Sequence, residues 1–474
     1  MRIELEKLAE SSREELLNVI ELLCAEIAQL RTEVEELKRK KARSATPFSK
    51  GKGKSNPKKP GRKKGDGKPV ERRNSPEIKP ADEVKRIAVV LGEDQKKQTV
   101  CPECGGSLKV IIEEPSNIDM PRQVKREITL FKVESLRCPE CGCIVGRGRH
   151  PDLAIDQYGA TAHRVGPRVK ALGHLARIAF GVTQRKTPGL LKEISGIDLS
   201  QSALNQDALK HGGEDGLVGV LAEVIKEEVK RNARIHTDDT GWKIGGQRAQ
   251  LMGFFSEENS YYQIRSKHGA REVSEVIDPE TCKATINTDR FKTYDAQEFE
   301  CIAMQKCLSH IQKNLRDQRE RKKRRARSFC ENLKALFKQS LELWHRYRKR
   351  EIALADYLEQ GRALDDELTY QLRARPMRDE DNARMRRELN KHHERGNLLR
   401  FLKDPSIEPT NNFAERMLRP AVIARKVSHC SKSYSGASAY AAFMSVVQTL
   451  KLRKVPSLLD ELTALTTPLR IATK

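Results

Sequence analysis

The sequence predicts an α+β protein of several domains, and three observations carry that prediction. A seven-residue apolar repeat runs through the first forty residues, and a Cys-Pro-Glu-Cys-Gly word occurs twice, starting at Cys101 and at Cys138. After Ala233 the apolar period changes from that of helices to that of strands. The 474 residues leave room for roughly two to four domains and a sizeable core. Lys+Arg number 90 against 66 Asp+Glu, and the formal charge of +24 favours a polyanionic partner, nucleic acid first. Met1 to Arg13 is mostly polar, and no apolar run approaches the roughly 20 residues of a membrane span. Neither secretion nor membrane insertion is expected. Eleven cysteines are too few for a disulfide scaffold, and their clustering suits thiols kept reduced in a cytoplasm.

Residues 1–40 read as a dimerising coiled coil. Ile20, Ile27 and Val34 share one heptad position, and Leu16, Leu23, Leu30 and Leu37 share the other. β-Branched residues at a with Leu at d favour a parallel two-stranded coil. Glu26 and Glu33 can reach Arg31 and Lys38 of the other strand.

Residues 41–82 read as a basic disordered linker. From Lys38 to Arg73 there are sixteen Lys/Arg against two acids, which is +14 of the total +24, among many Gly, Pro and Ser. Such a stretch cannot offset its chain entropy by burial. Lys58, Lys59, Arg62, Lys63 and Lys64 are its candidate phosphate contacts, gaining affinity through counterion release.

Residues 83–150 read as a zinc ribbon. Cys101 and Cys104 form one knuckle, Cys138 and Cys141 the other, each followed by glycine. Two such pairs complete a closed tetrahedral site for one structural Zn²⁺. Strand-like sequence, Ile128 to Val133, fills part of the long gap between them, and Cys143 reads as a bystander. Residues 151–228 read as helices: Leu172, Leu175, Ala176, Ile178 and Ala179 on one face, Leu190, Leu191 and Ile194 on a second ended by Gly196, and a third capped by Ser200. A helix-turn-helix DNA reader and an ordinary packing segment fit this pattern equally.

Residues 229–454 carry the chemistry. Ala233 to Asp238 is a short strand ending in an acid, and Gly245-Gly246 marks a hairpin. Gln250 to Ser256 and Tyr261 to Arg265 supply further strands. A helix (Arg271 to Ile277), a strand (Lys283 to Thr288) ending at Asp289, and an apolar strand (Cys301 to Cys307) follow. That order, with acids at the ends of the first and fourth strands, is the order of a ribonuclease-H-like fold. Acids on neighbouring strand ends can share two divalent metals about 4 Å apart, which suits phosphoryl transfer. Glu415 is the candidate third ligand; its competing role is a capping box with Asn412, on a helix that Pro420 stops or kinks early. Residues 312–400, within the 125 that separate Asp289 from Glu415, read as a helical insertion with a basic run at Arg321–Arg325. Cys307 and His310 read as packing beside the last strand. Residues 455–474 read as a tail.

The words around these acids narrow the class. His236-Thr-Asp-Asp-Thr-Gly-Trp242, Thr288-Asp-Arg-Phe-Lys-Thr-Tyr294, Cys307-Leu-Ser-His310 and Asn411-Asn-Phe-Ala-Glu-Arg-Met-Leu-Arg-Pro420 follow one another, then Arg425-Lys426 and Ser433-Tyr-Ser-Gly436. Together they closely resemble the large DDE transposase of the bacterial insertion-sequence family numbered sixty-six, over nearly the whole chain to about Arg453. The resemblance implies a nucleoid-associated enzyme that binds double-stranded DNA at element ends, cuts it and joins the 3′-hydroxyl to target DNA. It also implies catalytic Asp238, Asp289 and Glu415 holding two Mg²⁺, with possible accessory proteins from the same element. Arg416, Arg419, Arg425 and Lys426 read as phosphate contacts near the scissile bond. Asp239 stands where the family usually has Glu, and Arg290-Phe291 replaces a common Gly-Tyr. A non-catalytic DNA-binding regulator and a nuclease without strand transfer are the competing readings.

Overall fold

The computed structural model describes residues 127–148, 150, 165–373, 376–428 and 430–467, and before them 27, 91, 97, 100–103, 106 and 107. The chain divides into two units, Met1–Met120 and Pro121–Lys474. In the first, the expected zipper and basic linker lie outside the described residues, apart from Ile27, which is helical and half exposed. Among the described residues no helix is long and apolar enough to cross a membrane.

The second unit opens with a hairpin, β1 (Ser135–Arg137) paired antiparallel with β2 (Ile144–Arg147). Four helices follow: α1 (Pro167–Ile178), α2 (Thr187–Ser195), α3 (Gln201–Gly212) and α4 (Leu217–Lys230). Ser200 caps α3 as its sequence suggests, its Oγ accepting from the Ala203 amide at 3.0 Å, and Gly196 closes α2 with φ +64°. The apolar face read on α2 is narrower than expected. Leu191 is buried against Leu204, whereas Leu190 and Ile194 are exposed. Between α1 and α3 the buried Asp207 carboxylate meets His174 at 2.8 Å and Lys170 at 3.0 Å.

The sheet is mixed and five-stranded. Its members are β3 (Arg234–Ile244), β4 (Gln247–Phe255), β5 (Ser260–Arg265), β6 (Thr285–Thr288) and β7 (Met304–Lys306), and its order is β5-β4-β3-β6-β7. Gly245 and Gly246, at φ +57° and +85°, form the tight β3–β4 turn that their sequence foretells. A short helix, α5 (Ala270–Ser274), lies on the crossover that makes β6 parallel to β3. This architecture is consistent with a ribonuclease-H-like core.

After β7 come α6 (Leu308–Glu320), α7 (Arg324–Arg348), α8 (Leu354–Leu372), α9 (Glu380–Glu394) and α10 (Arg400–Lys403). They enclose a core of their own, with Leu333, Phe337, Tyr357, Leu368 and Leu389 almost fully buried. The insertion is rooted on the sheet by the Lys306 amide donating to the Asn397 carbonyl at 2.7 Å and the Leu308 amide to Pro409 at 3.0 Å. The Arg321–Arg325 run spans the α6–α7 turn and the first residues of α7 and is exposed except at Lys322, which pairs with both Asp379 and Asp381 at 2.8 Å; Arg324 has φ +47°.

The chain returns to the sheet through α11 (Asn412–Ser428), α12 (Tyr434–Leu452) and α13 (Leu458–Thr466). Helix α12 is buried from Ala437 to Thr449 apart from Ser438, because it packs on β5, α3 and α4 at once. Edge strand β5 would otherwise present bare amides. Two are taken up by α12: Tyr262 donates to Ser445 Oγ and Ser260 to Thr449 Oγ1, both at 2.9 Å. Residues 458–466, expected as part of a tail, form α13, whose Leu462 is fully buried in the same core as the sheet.

Candidate active site

The register of the sheet brings the first two acids together. Arg234, Ile235 and His236 of β3 pair with Thr285, Ile286 and Asn287 of β6. Continuing that register by two residues sets Asp238 beside Asp289, across the roughly 4.8 Å that separates neighbouring strands. Asp238 is not at a strand end, as its sequence suggested. Strand β3 runs on to Ile244 because β4 pairs with its far half, and Asp238 stands where β6 stops. One flank of β3 is open there.

Glu415 arrives on α11. Asn411, just ahead of that helix, is 1% exposed. Its side-chain amide donates to the Thr237 carbonyl at 2.7 Å, and its backbone amide to Cys307 Sγ at 3.2 Å. The helix start is thus pinned to the residue preceding Asp238. One turn on, the Glu415 amide donates to the Asn411 carbonyl at 3.1 Å. The capping role weighed for Glu415 is not realised. Among the described residues its charged neighbour is His310, with Nε2 to Oε1 at 4.0 Å. Pro420 does not end the helix either: it forfeits one amide bond, and the buried Ala421 and Ala424 hold the next turns in place.

The acids feel one another. Burial, partly offset by the Asp239 amide donating to Oδ1 at 2.9 Å, pushes the Asp238 carboxyl up to about 7, and the charges of Asp289, Asp239 and Glu415 add to the rise. Asp289 Oδ1 accepts from the Phe291 amide at 2.8 Å, an Asx turn that fixes the carboxylate. His310 was read as packing, but it faces these acids. The Cys307 thiol, against the cost of burial, pushes its ring up to about 9, with Glu415 and Asp289 contributing.

The loop after Asp289 is tightly held. Tyr294 and Thr237 share a hydrogen bond at 2.8 Å, and the fully buried Lys306 meets Asp295 at 2.9 Å. Phe291 stacks on His268 with centroids 4.6 Å apart, and His268 Nδ1 lies 3.5 Å from Asp239 Oδ1. Asn411, His310, Tyr294, Lys306 and His268 are absent from the sequence-derived site. The Cys-x-x-His spacing at the β7–α6 junction was a visible signal for His310; the others needed the sheet register.

The phosphate-contact candidates divide. Arg416 and Arg419 are exposed beside Glu415, the former 5.8 Å over the Phe413 ring. Arg425 Nη1 instead donates to Thr240 Oγ1 and the Gly241 carbonyl, both at 2.8 Å, and ties α11 to β3. Lys426 is half-buried. Lys58, Lys59, Arg62, Lys63 and Lys64 lie outside the described residues.

Three carboxylates with no Lys or Arg paired to them among the described residues are an oxygen-only donor set, which fits a hard divalent cation. No three Asp, Glu, His or Cys side chains of the described residues stand ready as a ligand cluster. Like charges without a counterion are expected to stay apart.

Of the cysteine knuckles, Cys104 lies outside the described residues. In the first unit the Cys101 amide donates to the Gly106 carbonyl at 2.8 Å. In the second the Cys138 amide donates to Cys143, also at 2.8 Å, inside the β1–β2 turn, where Gly142 adopts φ +74°. The Cys143 amide, then the Cys138 and Cys143 thiols, hold the Cys141 thiol below its ordinary value.

A mixed sheet of this order, with Asp238 on its central strand where the neighbouring parallel strand stops, is consistent with the core of a DDE phosphoryl-transfer enzyme. A sequence model of the IS66 transposase family matches residues 164–439, more than half of the chain, and the chain belongs to that family. Membership implies a DNA transposase that works with divalent metal. No curated protein matches the chain.

Proposed function

We propose that the protein cuts the ends of its own element and joins the freed 3′-hydroxyl to target DNA, with Asp238, Asp289 and Glu415 holding two Mg²⁺. The observation that carries this reading is the β3–β6 register that sets Asp238 beside Asp289, with Asn411 tying the start of the Glu415 helix to Thr237; the raised Asp238 carboxyl agrees with it. A buried acid beside like charges, with no Lys or Arg paired to it among the described residues, suits the binding of a cation. When bound, the cations supply activation of the nucleophile and stabilisation of the leaving oxygen of an in-line displacement.

The chain's own groups do the positioning. Asn411 fixes α11 against β3, which sets the approach of Glu415 to Asp238. The Asx turn at Asp289 leaves its second oxygen for a ligand. His310, with Nε2 4.0 Å from Glu415 Oε1, offers a ring nitrogen beside the acids for a phosphate oxygen. Arg416 and Arg419 extend the positive surface along α11. Cys101, Cys104, Cys138 and Cys141 would hold one structural Zn²⁺; the repeated word and the matching hydrogen bond in each knuckle support this. The heptads of residues 1–40 would make the enzyme a dimer on DNA.

The test is cleavage of duplex DNA carrying the element's end, in Mg²⁺ and in EDTA. Metal-dependent nicking that Asp238→Ala abolishes is expected. An Asp238→Ala protein that cuts at the wild-type rate overturns the assignment.

A further inference from the structure

We propose that Glu388, on insertion helix α9 and 98 residues from Arg290 in sequence, is a positioning residue: through Arg290 it holds the turn that presents Asp289. The inference rests on the reading of Asp289 as a metal ligand.

Arg290 follows Asp289 directly. Because Asp289 Oδ1 accepts from the Phe291 amide, the backbone of Arg290 is the bridge of the Asx turn. A twist at Arg290 therefore moves the carboxylate. The Arg290 side chain is largely buried, and its buried Nε has no acceptor among the described residues. Its Nη2 meets Glu388 Oε2 at 2.7 Å, and this contact gives the guanidinium its direction.

The other end of the brace is firm. Leu389, next to Glu388, is fully buried in the insertion core. Arg395, just past the end of α9, pairs with Glu300 at 2.5 Å, and Asn397 accepts the Lys306 amide on β7. Helix α9 is thus referenced to the strand beside β6, and Glu388 returns that reference to the turn that follows β6. A merely superficial ion pair would leave the turn indifferent to its loss. The brace gives the helical insertion a task inside the active site that needs no contact with DNA.

Full-length protein carrying Glu388→Gln, Arg290→Gln or both tests this. Hydrogen exchange of segment 289–294 without metal is read first, then the Mn²⁺ concentration for half of the thermal shift, then the cleavage rate. Each single variant should speed exchange and raise the Mn²⁺ demand by about fivefold or more, and the double should match the singles, because one contact is being broken. Melting in EDTA should stay near wild type. Unchanged exchange in Glu388→Gln, or single effects that multiply in the double, would overturn the brace. A wild-type protein with no Mn²⁺ shift would sink the metal reading of Asp289 instead, and the exchange measurement would still decide whether Glu388 holds the turn.

Discussion

The side-chain amide of Asn411 donates to the carbonyl of Thr237 at 2.7 Å, so the helix bearing Glu415 begins against the residue before Asp238. Two parts of the chain 174 residues apart are joined by one buried amide. That contact fixes where the helix carrying Glu415 starts.

Asn411→Ala should therefore damage catalysis and folding together. It leaves the Thr237 carbonyl buried and unpaired, a cost of about 1–3 kcal/mol. The expected result is a lower melting temperature and a cleavage rate reduced at least tenfold at saturating Mg²⁺. Wild-type cleavage in this variant would show that Glu415 needs no such anchor.

Asp238→Asn, Asp289→Asn and Glu415→Gln should each lower the cleavage rate by several orders of magnitude, and a double variant should be little worse than a single one. Single-turnover nicking of end DNA measures this. Independent, multiplying losses would mean that the acids do not act as a unit.

The Asp238 carboxyl gives a pH signature. Its value of about 7, against an ordinary 3.8, means that the folded protein binds the proton more tightly than the unfolded chain. The resulting stabilisation is complete below the ordinary value and is lost as pH rises through about 7, on the order of a few kcal/mol in all. In EDTA, Asp238→Asn should melt above wild type at pH 8, and the gap should close toward pH 4. Added Mg²⁺ should stabilise the wild-type protein more at pH 8 than at pH 5. Parallel melting curves at every pH would contradict the assignment.

Metal analysis of protein purified without added zinc should find one Zn²⁺ per chain, and Cys141→Ser should lose it. Zinc retained in that variant would exclude Cys141 as a ligand.

Removing residues 41–73 should flatten the salt dependence of DNA binding, because +11 of the +24 formal charge leaves with them. Binding measured between low and moderate salt decides this: an unchanged slope assigns the phosphate contacts elsewhere, with Arg416 and Arg419 the first to test.

Much of the sheet was legible because its signals are local. The Gly245-Gly246 turn demands two left-handed residues, and the buried, exposed, buried order at Trp242, Lys243 and Ile244 is simple strand alternation. The insertion was legible from its charged helical periodicity, although its true limits, 308–403, exceed the 312–400 expected. What escaped depends on distant partners. Nothing near Asp238 says that β6 stops beside it while β4 continues. Nothing near Asn411 names Thr237 as its acceptor, and Lys306 looks like any surface lysine until its neighbours bury it against Asp295. Glu415 could be suspected from its surrounding word, but its freedom from capping follows only from where α11 begins.

Helix α12 has a consequence for how this gene decays. Gly212 abuts Ala439 so closely that a single added carbon would sit 2.9 Å from its backbone, and α12 is the shared lining of strand β5 and helices α1, α3, α4 and α13. A copy interrupted ahead of Tyr434 strips all of these surfaces at once and leaves a sticky fragment for proteases to clear. A chain cut short there should be cleared rather than accumulate.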